Sequence, residues 1–423
     1  MGRTAQIDHA GGLTLPKSVV IQTMLFGMWL TIASGAVVFS EPAPFDILMA
    51  GLMIGLTGLG LTRLSNSTLL LATAWLLVAV GGLVAAMASK TLVDSTKHTI
   101  ITFYLSLASV VIAAFIAQNR ERHLRLIISA YVISALIAAI AGTAGYFGLV
   151  PGAKELFVLF ERARGTFKDP NVFGAYLVPA ALLTTQIWLN RPIRKAFWSF
   201  VATPILVLGV LVSFSRGAWA SMIFGFVILG YLNLVTVQSN RHRLKLILLA
   251  AFGIIGATTI ALAALQVPEV SALFSERASL MQSYDVGPQG RFGGQQKALG
   301  LISEHPMGVG ALVFGRHYHG EDVHNVYLSM FLNAGWLGGL VYLWIVGSTI
   351  VLGMVHVFKR DKLQQTFIAI YASFIVLAIE GLIVDTDHWR HFFVLLGMAW
   401  GVMITREIRS RNCQLQLLVL GRC

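Results

Sequence analysis

Three residues of this 423-residue chain combine reactive chemistry with a marked position: His324 stands directly before Asn325 and a long apolar run, Arg216 lies in Ser213-Phe-Ser-Arg-Gly217 between two apolar runs, and Arg291 starts an expected helix inside a long polar segment. A neutral imidazole, with a pKa near about 6.5, can take a proton from an attacking hydroxyl. A guanidinium offers paired donors that match phosphate oxygens, so two arginines can clamp a diphosphate. Each residue also has a plainer reading. Arg216 can be a snorkelling side chain at a lipid phosphate, and His324 a hydrogen-bonded anchor.

Around them stand weaker candidates for holding a substrate. Arg164, Lys168 and Asn171 share the string Arg164-Gly-Thr-Phe-Lys-Asp-Pro-Asn171, Arg277 lies close enough to Arg291 to exchange roles with it, and Arg316 and Asn325 flank the histidine region. His388 and Arg390 belong to a further polar string, Asp385-Thr-Asp-His-Trp-Arg-His-Phe392, which also carries His391. His317, His319 and His324 with Glu321 and Asp322 invite a metal reading, but their spacing fits no ligand pattern, so no metal site is expected.

What must position these residues is a membrane. At 56% hydrophobic, 12% charged and a mean hydropathy of +0.75, the chain is too apolar for a soluble globular protein. Apolar runs long enough to span a bilayer fall near 18–39, 46–62, 68–88, 98–117, 126–148, 171–189, 196–213, 216–237, 244–266, 326–355, 364–384 and 389–405. The expectation is therefore an all-α polytopic membrane protein of about 12 transmembrane helices, forming one domain over 1–423.

The net charge of +12 does not mark a nucleic-acid binder, because the basic residues recur between apolar runs instead of forming one patch. With a cytoplasmic N-terminus, most of the 31 lysines and arginines fall on the inner side, Arg120, Arg122, Arg125, Arg191, Arg194, Lys195, Lys359, Arg360 and Lys362 among them. Both termini are then cytoplasmic, with a tail over 406–423 that holds Cys413 and Cys423 and leaves no cysteine for an outer disulfide. The first span reads as an uncleaved signal-anchor.

The inner loops are short, whereas the outer side holds 149–170 and a large periplasmic loop over 267–324 between spans 9 and 10. Within that loop, 268–280 and 291–303 are each expected to be helical, separated by the turn-forming Asp285-Val-Gly-Pro-Gln-Gly290. Such a helix lying on the bilayer surface is the plain alternative. In Glu304-His-Pro-Met-Gly-Val-Gly310 a proline and two glycines end the second helix.

Phosphate-loop, dinucleotide, paired-cysteine and H-E-x-x-H motifs are absent from the sequence, which removes an ATP-driven pump, a soluble nucleotide-sugar domain and a zinc protease. The span interiors hold almost no ionisable group apart from Glu380, which disfavours a small-solute transporter without eliminating it.

Four strings in register bring a family to mind: Arg164-Gly-Thr-Phe-Lys-Asp-Pro-Asn-Val-Phe-Gly-Ala-Tyr176, Ser213-Phe-Ser-Arg-Gly-Ala-Trp219, His305-Pro-Met-Gly-Val-Gly310 with His324-Asn-Val-Tyr-Leu328, and Gly335-Trp-Leu-Gly338. Together they resemble the O-antigen ligase and polymerase superfamily over roughly 160–400. The resemblance implies a GT-C-like glycosyltransferase of the bacterial inner membrane, with its active site facing the periplasm and no cofactor. It would move a glycan from undecaprenyl diphosphate to lipid A-core, as a ligase, or to another glycan repeat, as a polymerase. It assigns catalytic positions to Arg216, Arg291 and His324, and an inverting displacement that needs neither nucleotide nor metal.

Overall fold

The computed structural model describes residues 17–58, 64–264, 266, 271, 287–288 and 290–404. These fold almost entirely as helices. α1 (Lys17–Ala33), α2 (Pro44–Gly58), α3 (Asn66–Met87), α4 (Leu92–Gln118) and α5 (Arg120–Tyr146) come first. The short α6 (Ala153–Phe157) and a ribbon of β1 (Val158–Leu159) and β2 (Arg162–Ala163) lead to α7 (Pro170–Leu189), α8 (Ile193–Val212), α9 (Arg216–Thr236) and α10 (Asn240–Ala264). α11 (Arg291–Glu304) lies in the large polar segment, followed by α12 (Val326–Val357), α13 (Gln364–Glu380) and α14 (Arg390–Met403).

Each expected apolar run coincides with one of these helices. Eight are long and apolar enough to cross a membrane, and α2, α13 and α14 are shorter apolar helices. Their outer surfaces are apolar too: Trp198 is 81% and Phe252 76% exposed, with Phe26, Ile54 and Val351 similarly bare. A soluble monomer rarely presents so much apolar surface, whereas lipid solvates it without penalty. The chain is thus an all-α polytopic membrane protein.

Small residues set the closest helix approaches, as expected where lipid removes most of the hydrophobic drive to associate. α3 packs along α12, and a Cβ on Gly81 would stand 2.3 Å from the Ala334 carbonyl oxygen. α4 packs along α14, where Gly397 and Gly401 lie against the Ser109 and Ala113 carbonyls. Trp75, Tyr131, Phe173, Tyr176, Tyr342 and Phe392 fill the interior between them.

Short polar caps start the helices. Ser65 and Thr68 form a reciprocal capping box at α3, Asn119 caps α5, Asp169 followed by Pro170 opens α7, and Ser215 caps α9. The segment 149–170, expected on the outer side, departs from a plain loop: Val158 pairs with Ala163 and Leu159 with Arg162 around a Phe160-Glu161 turn with positive φ at both residues. No glycine or asparagine occupies those turn positions, so the usual hairpin signal is missing from the sequence.

α12 is two helical pieces joined at Gly335, whose φ of 65° and ψ of −173° break the helix. The His305-Pro-Met-Gly-Val-Gly310 segment fills the break. Val309 and Gly310 donate from their backbone N–H groups to the Leu332 carbonyl, the Trp336 N–H donates to Pro306 O at 2.9 Å, and the Trp336 indole donates to Ile302 O. Carbonyl and amide groups left over by the interruption are satisfied in this way, as a buried backbone requires. Two strings separated in the sequence form one unit that fastens α11 to α12.

Loops expected on the same side of the membrane meet one another. Arg120 pairs with Asp361 and Glu121 with Lys362 at one end. At the other end Lys168 pairs with Glu41, Arg316 with Asp94, and Arg390 with Asp46.

Candidate active site

Arg216 is the first residue of α9, half-buried at a sharp turn in which Ser213 caps the Ser215 N–H and Phe214 takes a positive φ of 46°. Its guanidinium therefore starts from a helix N-terminus, where the helix dipole also favours an anion. Next to it, Gly217 lies against the buried Glu380: a Cβ there would stand 2.9 Å from Glu380 Oε1. Glu380 Oε2 accepts from Ser221 Oγ at 2.9 Å, while Oε1 has no hydrogen-bond partner among the described residues. Glu380 ends α13, and the following Gly381 carbonyl accepts from the Val326 N–H at 2.8 Å. Arg216 lies one residue from Gly217 and His324 two residues from Val326, so this link connects the two segments that carry them.

His324 is half-buried with φ of 51°, held in that conformation by its own backbone N–H donating to Asp385 Oδ2 at 3.0 Å. Asp385 Oδ1 accepts from Ser329 Oγ at 2.5 Å, so one carboxylate sets both the histidine backbone and the first turn of α12. Asn325 caps that helix, its Oδ1 accepting from the Tyr327 and Leu328 N–H groups. The His324 ring stands 4.0 Å from Glu321 Oε2. Burial, and then the Arg291 guanidinium nearby, hold its pKa below the usual histidine value, against the raising influence of Asp322 and Glu321. A neutral imidazole near a cation is the protonation state a general base needs. Burial and the neighbouring Asp387 charge push Asp385 up to about 7.

Arg291 enters from α11, one turn before Gln295, whose Nε2 reaches the His324 carbonyl at 3.4 Å and the Leu382 carbonyl at 3.5 Å. α11 therefore lies over the mouth formed by the starts of α12 and the α13–α14 connection. The expected helix over 291–303 is this element. The expected helix over 268–280, and Arg277 with it, lie outside the described residues.

The first sequence string joins the site through a residue outside it. Arg162 on β2 donates from Nε to Ser213 O at 2.9 Å and from a terminal nitrogen to Asn171 Oδ1 at 2.7 Å, tying the ribbon and α7 to the turn that carries Arg216. Gly174 makes the contact possible, since a Cβ there would lie 2.6 Å from Ser213 Oγ. Sequence reading passed over Arg162, whose partners are 9 and 51 residues away. In the sequence, the string that begins at Asp385 stands out for its histidines rather than its carboxylates.

Other sequence candidates are engaged elsewhere. Arg164 Nε donates to Leu156 O at 3.3 Å, and Lys168 lies 3.7 Å from Glu41. Arg316 pairs with Asp94, and Arg390 grips Asp46 with two nitrogens at 2.8 and 2.7 Å. His388 bonds Thr102 Oγ1 at 3.0 Å. His317 is exposed while His319 is buried and bonds the Pro288 carbonyl, so these two do not turn toward one point.

An interrupted helix, a membrane bundle and a group of cationic and histidine side chains at one end characterise this polytopic membrane protein, and the comparison with family models points to a family. Residues 201–343 match the O-antigen ligase family model, and Arg216, Arg291 and His324 all lie inside that segment. The match covers about a third of the chain and supports the resemblance to the O-antigen ligase superfamily, whose members are membrane glycosyltransferase-like enzymes; it takes in three of the four strings and leaves out the one at 164–176. The apolar helices and this match together indicate a bacterial membrane protein. No curated protein matches the chain.

Proposed function

We propose that the protein transfers a glycan from undecaprenyl diphosphate to an acceptor hydroxyl at the periplasmic face of the inner membrane, with lipid A-core as the acceptor. The observation that carries this reading is the approach of Arg291 and His324 at one mouth, joined to Arg216 through Glu380, Gly381 and Val326. Arg216 and Arg291 hold the diphosphate. His324 takes the proton from the acceptor oxygen as that oxygen forms its bond to the anomeric carbon. The bond from that carbon to the diphosphate oxygen breaks from the opposite face, so the configuration inverts and undecaprenyl diphosphate departs.

Charge grows on the departing diphosphate, so its neutralisation by fixed guanidinium groups is the larger contribution. General-base assistance adds roughly 10² to 10⁴ in rate. Neutralised by two arginines, the leaving group draws on neither nucleotide nor metal ion. Arg164, Lys168, Asn171, Arg277, Arg316, Asn325, His388 and Arg390 are proposed to line or support the donor and acceptor path. Arg162 and Asp385 join them as positioning residues. The segment 267–324 covers the mouth from the periplasm, and both termini, including 406–423, are cytoplasmic.

Polymerisation onto another carrier-linked repeat is the other outcome the same chemistry allows. Cells lacking the protein separate the two. Long glycan chains retained on the lipid carrier support the ligase, single carrier-linked repeats indicate a polymerase, and an unchanged glycolipid profile contradicts both.

A further inference from the structure

At the same end of the molecule lies a second cluster, of which only His388 is among the residues proposed to support the substrate path. His98, two turns into α4, and Asp387 and His388, on the α13–α14 connection, offer one ligand atom each within 4.8 Å of one another. His98 Nε2 lies 3.1 Å from Asp387 Oδ2, both side chains being about nine-tenths buried, and the two imidazole rings are 4.0 Å apart.

These groups call for a counter-charge. A buried carboxylate is costly without a cation, and a proton on His98 or a bound metal ion would supply one to Asp387. Two donors each about 2.0–2.1 Å from a tetrahedral zinc stand roughly 3.3 Å apart, close to the observed His98–Asp387 separation. His388 is only half-buried and completes the set by turning away from Thr102. A small cavity of about 20 Å³, lined in part by His98, Thr102, Asn333 and Asp387, opens beside the cluster and has room for about one water as fourth ligand.

We propose that His98, Asp387 and His388 bind one divalent transition-metal ion, zinc fitting best, as a clip between α4 and the α13–α14 connection. Two imidazoles and a carboxylate are a ligand set typical of zinc, and the ligands come from two elements, His98 from α4 and the adjacent Asp387 and His388 from the α13–α14 connection, so the ion ties the two together. The ion acts on architecture: the connection it fastens also carries Asp385, which holds the His324 backbone. Binding stands or falls independently of glycan transfer.

The test is metal titration of the full-length, tag-free protein in detergent, using zinc by calorimetry and cobalt by visible absorption. Expected are roughly one saturable equivalent and the absorption of a four-coordinate cobalt ion with nitrogen and oxygen ligands, together with a melting temperature that rises with free zinc. His98→Gln and His388→Gln should each weaken binding by at least about tenfold, and the double change His317→Gln with His319→Gln should leave it unaltered. X-ray absorption of the wild-type zinc complex provides a readout that needs no variant: two imidazoles in the first shell support the site. No saturable binding, no imidazole in that shell, or binding indifferent to His98 and His388 overturns the proposal and leaves a proton-bridged pair.

Discussion

At the residue scale, His324 is the sharpest test of the chemistry. If it acts as the base, His324→Ala lowers kcat by about 10² to 10⁴ while substrate binding changes little, which single-turnover transfer measures directly. The pH dependence has a definite sign. Burial and Arg291 hold the imidazole pKa below its ordinary value, so the reactive neutral form persists on mild acidification. The acid limb of kcat/KM should therefore fall below about 6.5, and removing the Arg291 charge should move it upward. A limb at or above the ordinary histidine value contradicts the assignment. Arg216, Arg291 and His324 were legible in the sequence because residue type and position at helix starts suffice to single them out. Arg162, Asp385 and the packing of Glu380 were not, since their meaning rests on partners far along the chain. For the same reason the sequence could not show that Arg390 is engaged by Asp46, Arg316 by Asp94 and Lys168 by Glu41.

At the element scale, the account depends on the interrupted α12 and the loop seated in it. Gly335 occupies a region of backbone space that is essentially restricted to glycine, and a Cβ there would lie 2.8 Å from the Met307 backbone carbon. Gly335→Ala is expected to cost about 1–3 kcal/mol and to loosen the 305–310 segment with α11. Gly347→Ala serves as the contrast, because open space surrounds that helical position; there the substitution should be neutral or stabilising by up to about 1 kcal/mol. Thermal unfolding in detergent compares the two, and equal melting temperatures contradict the wedge. The sequence marked His305–Gly310 as a helix stop and Gly335–Gly338 as a motif. That the first plugs the second was hidden, because a glycine inside an apolar run reads equally well as a close helix contact.

At the scale of the whole molecule, the bilayer made the fold legible: length and hydropathy alone located the apolar helices among the described residues, since a spanning segment must satisfy its own backbone. The lateral arrangement was not legible, because helices apolar on all sides carry no stripe that names a neighbour. Sidedness is open to a direct check with single cysteines in a Cys413→Ser, Cys423→Ser background. An impermeant maleimide applied to spheroplasts should label positions 149 and 161 and spare positions 191 and 360, and the reverse pattern inverts the topology. The central claim is that Arg216, Arg291 and His324 together move a carrier-linked glycan. It is tested most directly by reconstituting the purified protein with undecaprenyl-diphosphate glycan and lipid A-core, without nucleotide, and comparing wild type with Arg216→Ala. The account predicts glycan on lipid A-core with the wild type and a loss of at least about 10² in rate with the variant. Transfer by Arg216→Ala at the wild-type rate would contradict it.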